Sequence, residues 1–299
     1  MAARQIELVE VSPRDGLQNE ATLVSTDDKL ALIDTLIASG VRRIEATSFV
    51  NPARVPQLAD ADELARRLPR GVVSWSGLVL NERGLDRALA AGMDEVNVVV
   101  VVSDTFSRRN QGVSVDEAVA AWTRMAQRAR TSGVRTTVTI AAAFGCPFEG
   151  EVGAEQVASV LARCMDAQPD EVAIADTIGV GVPAQVRALA DVAAQAAPGV
   201  PLRWHFHNTR NTGYANALVA AELGAAALDA SSGGVGGCPF APNATGNVAT
   251  EDLLYLLHRS GWQTGVDVRP LLPLGERLGE LLGHQVPGQL ARAGVFPPE

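Results

Sequence analysis

Short runs of apolar and β-branched residues alternate along this chain with longer segments in which alanine and leucine recur at helical spacing. The alternation repeats eight times. Short apolar runs bounded by polar residues and glycines are typical of buried strands, and the longer segments between them are typical of helices. The pattern predicts strands at residues 6–12, 43–49, 72–79, 95–103, 136–144, 171–177, 202–207 and 226–231. It predicts helices at residues 27–39, 116–131, 154–167, 184–196 and 214–223, among others.

Strands that alternate with helices indicate a parallel sheet with right-handed crossovers. Eight such units in about 250 residues match a TIM (β/α)8 barrel, and an open doubly wound sheet is the alternative. We expect one α/β catalytic domain over residues 1–299, with the barrel at about 5–260 and a short helical extension at about 261–299. Thr26 is predicted to cap the first helix, and Gly40 to end it.

In a TIM barrel the catalytic residues lie at the carboxyl ends of the strands, so the active site is expected there. Charged side chains are costly inside apolar strands, so their presence at matching ends indicates an active site rather than packing. Titratable residues occur at five of these positions. They are Arg14 and Asp15, Glu45, Asp176, His205 with His207, and Cys238 on a glycine-rich loop after the last strand.

The pair His205 and His207 points to a metal site. Residues two apart in a strand project from the same face, so both imidazoles face one way. Asp15, at the end of the neighbouring first strand, adds a carboxylate, and such mixed nitrogen and oxygen ligands bind a divalent cation. Mg²⁺, Mn²⁺ and Zn²⁺ all suit this set, and the sequence does not choose among them.

A metal held there acts as a Lewis acid on a substrate with a hydroxyl and a carbonyl or carboxylate. Arg14 would stabilise the developing enolate charge, while Glu45 and Asp176 are candidates for proton transfer or positioning. Cys238 lies on a glycine-rich loop that can move over the site, and it is a candidate proton donor to a carbanion or, as the less favoured role, a nucleophile. A Schiff-base aldolase is disfavoured, because the only lysine, Lys29, lies at the start of the first helix.

Composition narrows the possible binding partners and the cellular compartment. The net charge is −9 without a basic block, which argues against nucleic acid as a partner. The three cysteines are too few and too scattered for a disulfide framework, and no apolar run has membrane-spanning length. We therefore expect a soluble cytoplasmic protein with no nucleic-acid or membrane partner.

Several motifs resemble those of the 3-hydroxy-3-methylglutaryl-CoA lyases in the DRE-TIM metallolyase superfamily. They include Ser12-Pro13-Arg14-Asp15-Gly16 and the Gly-Cys-Pro-Phe repeated at 145–148 and 237–240. Further matches lie at residues 9–20, 44–50, 55–57, 145–150, 176–181, 236–241 and 246–252. Together they extend in order over roughly residues 5–265. The resemblance implies a TIM barrel that cleaves an acyl-CoA to acetyl-CoA and a keto product, which is acetoacetate in the lyase proper.

The resemblance also assigns roles. It places the metal ligands at Asp15, His205, His207 and Asn247, the enolate-stabilising arginine at Arg14, further catalytic groups at Glu45, Asp176 and His205, the loop cysteine at Cys238, and substrate neighbours at Gln18 and Ser48. The residues alone give no reason to select Asn247. The implied cofactor is a divalent cation, Mg²⁺ or Mn²⁺ before Zn²⁺.

One segment departs from the family pattern. After the His-x-His pair the resembling lyases have Asp-Thr-Tyr-Gly-Gln, and this chain has Asn208-Thr209-Arg210-Asn211-Thr212. Neutral drift is one explanation. Loops at the catalytic face set specificity, however, and an arginine binds carboxylates, so Arg210 is a candidate substrate contact. The departure therefore bears on which substrate is bound more than on which reaction is catalysed.

Two alternatives to the lyase remain at this point. A Claisen-type synthase that joins acetyl-CoA to a 2-oxo acid would share the barrel and metal site, but usually carries a long carboxyl-terminal domain. A CoA-thioester-binding module that has lost catalysis is disfavoured by the intact set of candidate residues. We expect an acyl-CoA substrate and a homo-oligomer, a dimer or tetramer.

Overall fold

A closed barrel of eight parallel strands forms the centre of the protein. The structure is a computed structural model that describes residues 4–237 and 246–297. The barrel strands are β1 (Glu7–Glu10), β2 (Arg43–Ser48), β3 (Ser74–Val79), β4 (Glu95–Val101), β5 (Arg135–Ala141), β6 (Glu171–Asp176), β7 (Leu202–Phe206) and β8 (Ala227–Ala230). Each pairs with the next along the chain, and β8 pairs with β1 to close the ring.

This topology confirms the predicted TIM barrel and excludes the doubly wound sheet, which would be open. Each predicted run overlaps one strand, with ends that agree to within three residues. Two short pairings lie outside the barrel. Arg4–Gln5 runs parallel to Trp262–Gln263, and Gly145–Cys146 runs antiparallel to Gly150–Glu151.

Helices cover the barrel and connect its strands. They are α1 (Thr26–Ala38), α2 (Ala61–Arg67), α3 (Glu82–Ala90), α4 (Asp104–Gln111), α5 (Val115–Thr131), α6 (Ala154–Met165), α7 (Pro183–Ala196), α8 (Gly213–Glu222), α9 (Thr250–Arg259), α10 (Leu272–Leu282) and α11 (Leu290–Ala293). The five predicted helices and the helix in the carboxyl-terminal extension are confirmed. In the described part of the chain, none of the helices has the length and apolar character to cross a bilayer.

The predicted cap of α1 is wrong by one residue. Ser25 is the cap, because its backbone is extended and its side chain accepts from the amide of Asp28. Thr26 is the first helical residue, and its hydroxyl donates to Asp60 at 2.8 Å. Gly40 follows the helix with φ +101°, a conformation that glycine adopts without strain, so its predicted role is confirmed.

The amino-terminal end of the barrel holds a buried ionic network instead of an apolar plug. Arg43, the first residue of β2, contacts Glu95 and Glu171, the first residues of β4 and β6, at 2.5–2.9 Å. Arg203 of β7 lies within 3.8 Å of the same two carboxylates. These charges are inside the barrel and therefore need one another as partners.

Candidate metal and acyl-CoA site

Three side chains from distant parts of the sequence meet at the carboxyl end of the barrel. Asp15 lies in a single π-helical turn, Ser12–Gly16, that follows β1, while His205 is in β7 and His207 follows that strand. One ligand atom from each residue lies within 4.8 Å of the other two. This is the spacing at which a single cation can be shared, as predicted from the His-x-His pattern.

Each histidine is held through its Nδ1 atom. His207 Nδ1 is 2.9 Å from the backbone carbonyl oxygen of Asp176, and His205 Nδ1 is 3.1 Å from Asp229 Oδ2. A carbonyl oxygen only accepts, so the proton of a neutral His207 sits on Nδ1 and leaves a lone pair on Nε2. An ionised Asp229 imposes the same arrangement on His205. Both rings are therefore set to offer Nε2 to a metal.

Asn247 completes the group. It forms a backbone bridge with His207, and its Nδ2 donates to Asp15 Oδ2 at 2.9 Å and to the carbonyl oxygen of Val235 at 3.1 Å. These acceptors fix the orientation of the amide. Its buried Oδ1 has no hydrogen-bond partner among the described residues. An unpaired buried oxygen beside Asp15 and His207 has the chemistry of a fourth ligand.

Arg14 is held beside the metal-ligand group by two carboxylates. Its Nη1 is 2.5 Å from Asp15 Oδ1, and its Nε donates to Glu45 Oε1. The other Glu45 oxygen accepts from Asn97 Nδ2 at 2.8 Å, and Asn97 in turn accepts from Thr139. Glu45 thus holds the guanidinium through Oε1 and is itself held by Asn97 through Oε2, while Nη2 of Arg14 has no hydrogen-bond partner among the described residues.

Asp176 is fully buried at the end of β6. Its two carboxylate oxygens accept from the amides of Val180 and Gly181 at 2.9 and 2.8 Å. Burial raises the pKa of Asp176 even though these N–H groups favour the ionised form. A carboxyl whose pKa is raised toward neutral pH can both accept and release a proton.

The electrostatics of the three ligand residues suit a cation. Burial alone would raise the pKa of Asp15, but Arg14 and the two imidazoles hold it well below its usual range. Burial and the neighbouring His205 lower the pKa of His207 to about 4, which keeps it neutral. Burial would also lower the pKa of His205, but the bond to Asp229 and the Asp15 charge raise it instead. A metal would compete with a proton at His205.

Two groups of buried ion pairs lie inside the barrel. Arg14 pairs with Asp15 and Glu45. Arg43 and Arg203 both lie within 3.8 Å of Glu95 and Glu171. Arg203 also faces Asp229, and His205 lies between Asp229 and Asp15, so it joins the two groups.

The remaining predicted residues lie around this centre or outside the described part. Ser48 is buried at the end of β2, and its hydroxyl has no hydrogen-bond partner among the described residues. Gln18 is half-buried just after the Asp15 turn. Arg210 is exposed, and its Nη1 donates to the carbonyl oxygens of Ile178 and Gly179 at 3.1 and 2.9 Å. Cys238 lies outside the described residues.

Sequence reasoning missed Asp229 and Asn97, which hold His205 and Glu45. Both are polar residues within otherwise apolar strands, and that signal was present in the sequence. What the sequence did not show is which side chain each one meets, because that depends on the stagger between neighbouring strands in the barrel.

Comparison with known proteins agrees with this geometry. Residues 5–277 match the family model described as HMGL-like. The chain is 41% identical to the (R)-citramalyl-CoA lyase of Chloroflexus aurantiacus, over 98% of this chain and 96% of that protein. It is also 41% identical to the hydroxymethylglutaryl-CoA lyase of Pseudomonas mevalonii, over 97% and 96%.

A solved structure gives the same result. The chain superposes with a TM-score of 0.94 on an HMG-CoA lyase from Acinetobacter baumannii in complex with coenzyme A and 3-methylmalate, at 38% identity and over 100% of this chain and 98% of that one. The family model covers most of the chain, and lyases match it over nearly their whole length. This chain therefore belongs to the HMGL-like family and is an enzyme of the hydroxymethylglutaryl-CoA lyase type.

Proposed function

We propose that this enzyme uses a divalent metal to cleave a 3-hydroxyacyl-CoA with a distal carboxylate into acetyl-CoA and a keto acid. The observation that carries the proposal is the convergence of Asp15, His205 and His207, with the unpaired amide oxygen of Asn247 beside them. A binding module without catalysis would not need this ligand set, the fixed Arg14 and the buried Asp176 together.

The two lyase relatives support this substrate class. 3-Hydroxy-3-methylglutaryl-CoA and citramalyl-CoA both carry a tertiary alcohol next to the bond that breaks, and both end in a carboxylate. They differ by one methylene between the alcohol carbon and that carboxylate. The first would give acetoacetate and the second pyruvate, with acetyl-CoA as the common product. A pocket distinguishes one methylene by only about 1–3 kcal/mol, so activity on both is expected, with one preferred.

Asp15, His205, His207 and Asn247 would hold the metal, with Mg²⁺ or Mn²⁺ favoured over Zn²⁺ because two of the four donors are oxygens. The metal would act as a Lewis acid on the substrate oxygens. Asp176 would accept the proton of the tertiary hydroxyl, since burial has already raised its pKa. Loss of that proton drives cleavage of the carbon–carbon bond and leaves the acetyl-CoA enolate.

Arg14 would stabilise the enolate oxygen with the part of its guanidinium that no described residue uses. Glu45 would act on this step through Arg14. It holds Nε of Arg14 and so keeps the unpaired Nη2 in position. Cys238 would then protonate the enolate carbon. Gly237, the residue before Cys238, is held by Asn19, whose Nδ2 donates to its carbonyl oxygen at 2.6 Å.

Substrate contacts are proposed at Ser48, Gln18 and Arg210. The Ser48 hydroxyl is buried and unpaired among the described residues, so it has a hydrogen bond to offer. Arg210 uses Nη1 within the protein, and its Nε and Nη2 have no hydrogen-bond partner among the described residues. Those two atoms would bind the distal carboxylate.

The test is a product assay on the full chain with Mg²⁺ present. Each of the two CoA esters is supplied, and acetyl-CoA, acetoacetate and pyruvate are quantified. We expect acetyl-CoA in a 1:1 ratio with the matching keto acid. A synthase would instead consume acetyl-CoA when it is given a 2-oxo acid, and this outcome would overturn the proposal, as would release of neither product.

A further inference from the structure

We propose that Asp229 is a positioning residue that fixes His205 as a metal ligand. Asp229 is a residue of β8, the strand next to β7, and its Oδ2 is 3.1 Å from His205 Nδ1. It touches neither the substrate region nor the metal-ligand atoms, so its effect would pass through the imidazole. The inference rests on the proposed metal site, and its first readout needs no metal.

The two histidines of the site are held in different ways. His207 is held by a backbone carbonyl, which no substitution at that position removes. His205 depends on a side chain, Asp229. A neutral imidazole has one donor and one acceptor nitrogen, and the group that faces Nδ1 decides which is which. Asp229 therefore decides whether Nε2 of His205 presents a lone pair or a hydrogen.

Asp229 also faces the buried ion pairs at the base of the barrel. Its Oδ1 lies 3.5 Å from Nε of Arg203, whose guanidinium is fully buried and also lies 3.3 Å from Glu171. Arg203 offers only N–H groups, so Asp229 Oδ1 faces it as an acceptor and Oδ2 is left to face His205 Nδ1. The network thus reaches from the base of the barrel to a metal ligand.

This arrangement makes Asp229→Asn an informative variant. Arg203 offers only donors, so the amide oxygen of the new side chain should turn toward it. The amide nitrogen then faces His205 Nδ1 as a donor, and Nδ1 must accept. The proton moves to Nε2, where it blocks the metal. A residue that only balanced the charge of Arg203 would have no such effect on the ring.

The experiment measures tautomer and metal affinity separately in the full chain. Long-range ¹H–¹⁵N NMR on metal-free protein at alkaline pH should show His205 protonated on Nδ1 in wild type and on Nε2 in Asp229→Asn, with His207 unchanged. Mn²⁺ affinity, measured by titration, should fall about 10- to 100-fold, the usual effect of losing such a partner.

Glu171→Gln is the matched control, because it removes a carboxylate from the same network on the far side of Arg203. It should lose stability but keep Mn²⁺ affinity within about threefold. Equal losses of affinity in the two variants would overturn the inference. A wild-type His205 protonated on Nε2 would also overturn it, even if Asp229→Asn does not fold. Failure of the wild type to bind Mn²⁺ with the Nδ1 tautomer in place would instead count against the proposed function.

Discussion

Replacing Glu251 with glutamine should make the protein more stable, and only above mildly acidic pH. Glu251 is the second residue of α9 and is buried, with Oε2 accepting from the amide of Gly233 at 3.0 Å. Its Oε1 has no hydrogen-bond partner among the described residues. Burial, reinforced by the charges of Asp252 and Glu10, raises the pKa of Glu251 from 4.5 to about 7.

The sign and size of the effect follow from these two pKa values. The folded state binds the proton more tightly than the unfolded chain, so the stabilisation is complete below pH 4.5 and is lost as pH rises to about 7. Each pKa unit corresponds to about 1.4 kcal/mol, which gives a total of about 3 kcal/mol. Glutamine has the shape of the protonated form and never ionises, so it avoids this loss.

The assay is equilibrium urea unfolding of wild type and Glu251→Gln at several pH values from 4.5 to 8.5. The difference in free energy of unfolding should be near zero at the acidic end and reach about 3 kcal/mol in favour of the variant above pH 7. Glu222→Gln, at an exposed position, should show no such trend. A difference that stays constant with pH would refute the reasoning.

The other predictions concern the site. His207→Ala should weaken Mn²⁺ binding at least about tenfold, whereas Cys238→Ala should leave it intact; equal affinities would contradict the ligand assignment. Cys238→Ser should lower kcat by about two to four orders of magnitude, the range for a lost proton-transfer group, while Cys146→Ser should cost far less because Cys146 is a buried residue next to Ser103. Equal losses of kcat in the two would disprove the role of the loop cysteine. Arg210→Met should raise KM about 10- to 100-fold for esters with a distal carboxylate and change kcat less. If wild type and variant rank such esters identically against esters without the carboxylate, Arg210 has no part in specificity.

The barrel and its catalytic face were predictable because both depend on repeated local patterns. The apolar runs marked the strands, and the strand ends then placed Asp15 near His205 and His207 despite 190 residues between them. Parallel strands in a closed barrel have all their carboxyl ends on one side, so residues at those ends meet whatever their separation in sequence.

The supporting groups were not predictable in the same way. Whether Asp229 meets His205, or Asn97 meets Glu45, depends on the stagger of adjacent strands and on rotamers. The cap of α1 was misplaced because Ser25 and Thr26 both have side chains that can cap a helix, and the backbone conformation decides which of them does so. The proposed ligand role of Asn247 came only from the family resemblance, since an asparagine near the end of a glycine-rich loop carries no metal signal of its own.

The most direct test of the central claim is the rate of acetyl-CoA release before and after removal of metal. The enzyme is treated with EDTA, desalted and assayed with 3-hydroxy-3-methylglutaryl-CoA and with citramalyl-CoA, then assayed again after addition of Mg²⁺ or Mn²⁺. The proposed site predicts loss of acetyl-CoA release with both esters and recovery on adding either ion. Full turnover by the metal-free enzyme would contradict it.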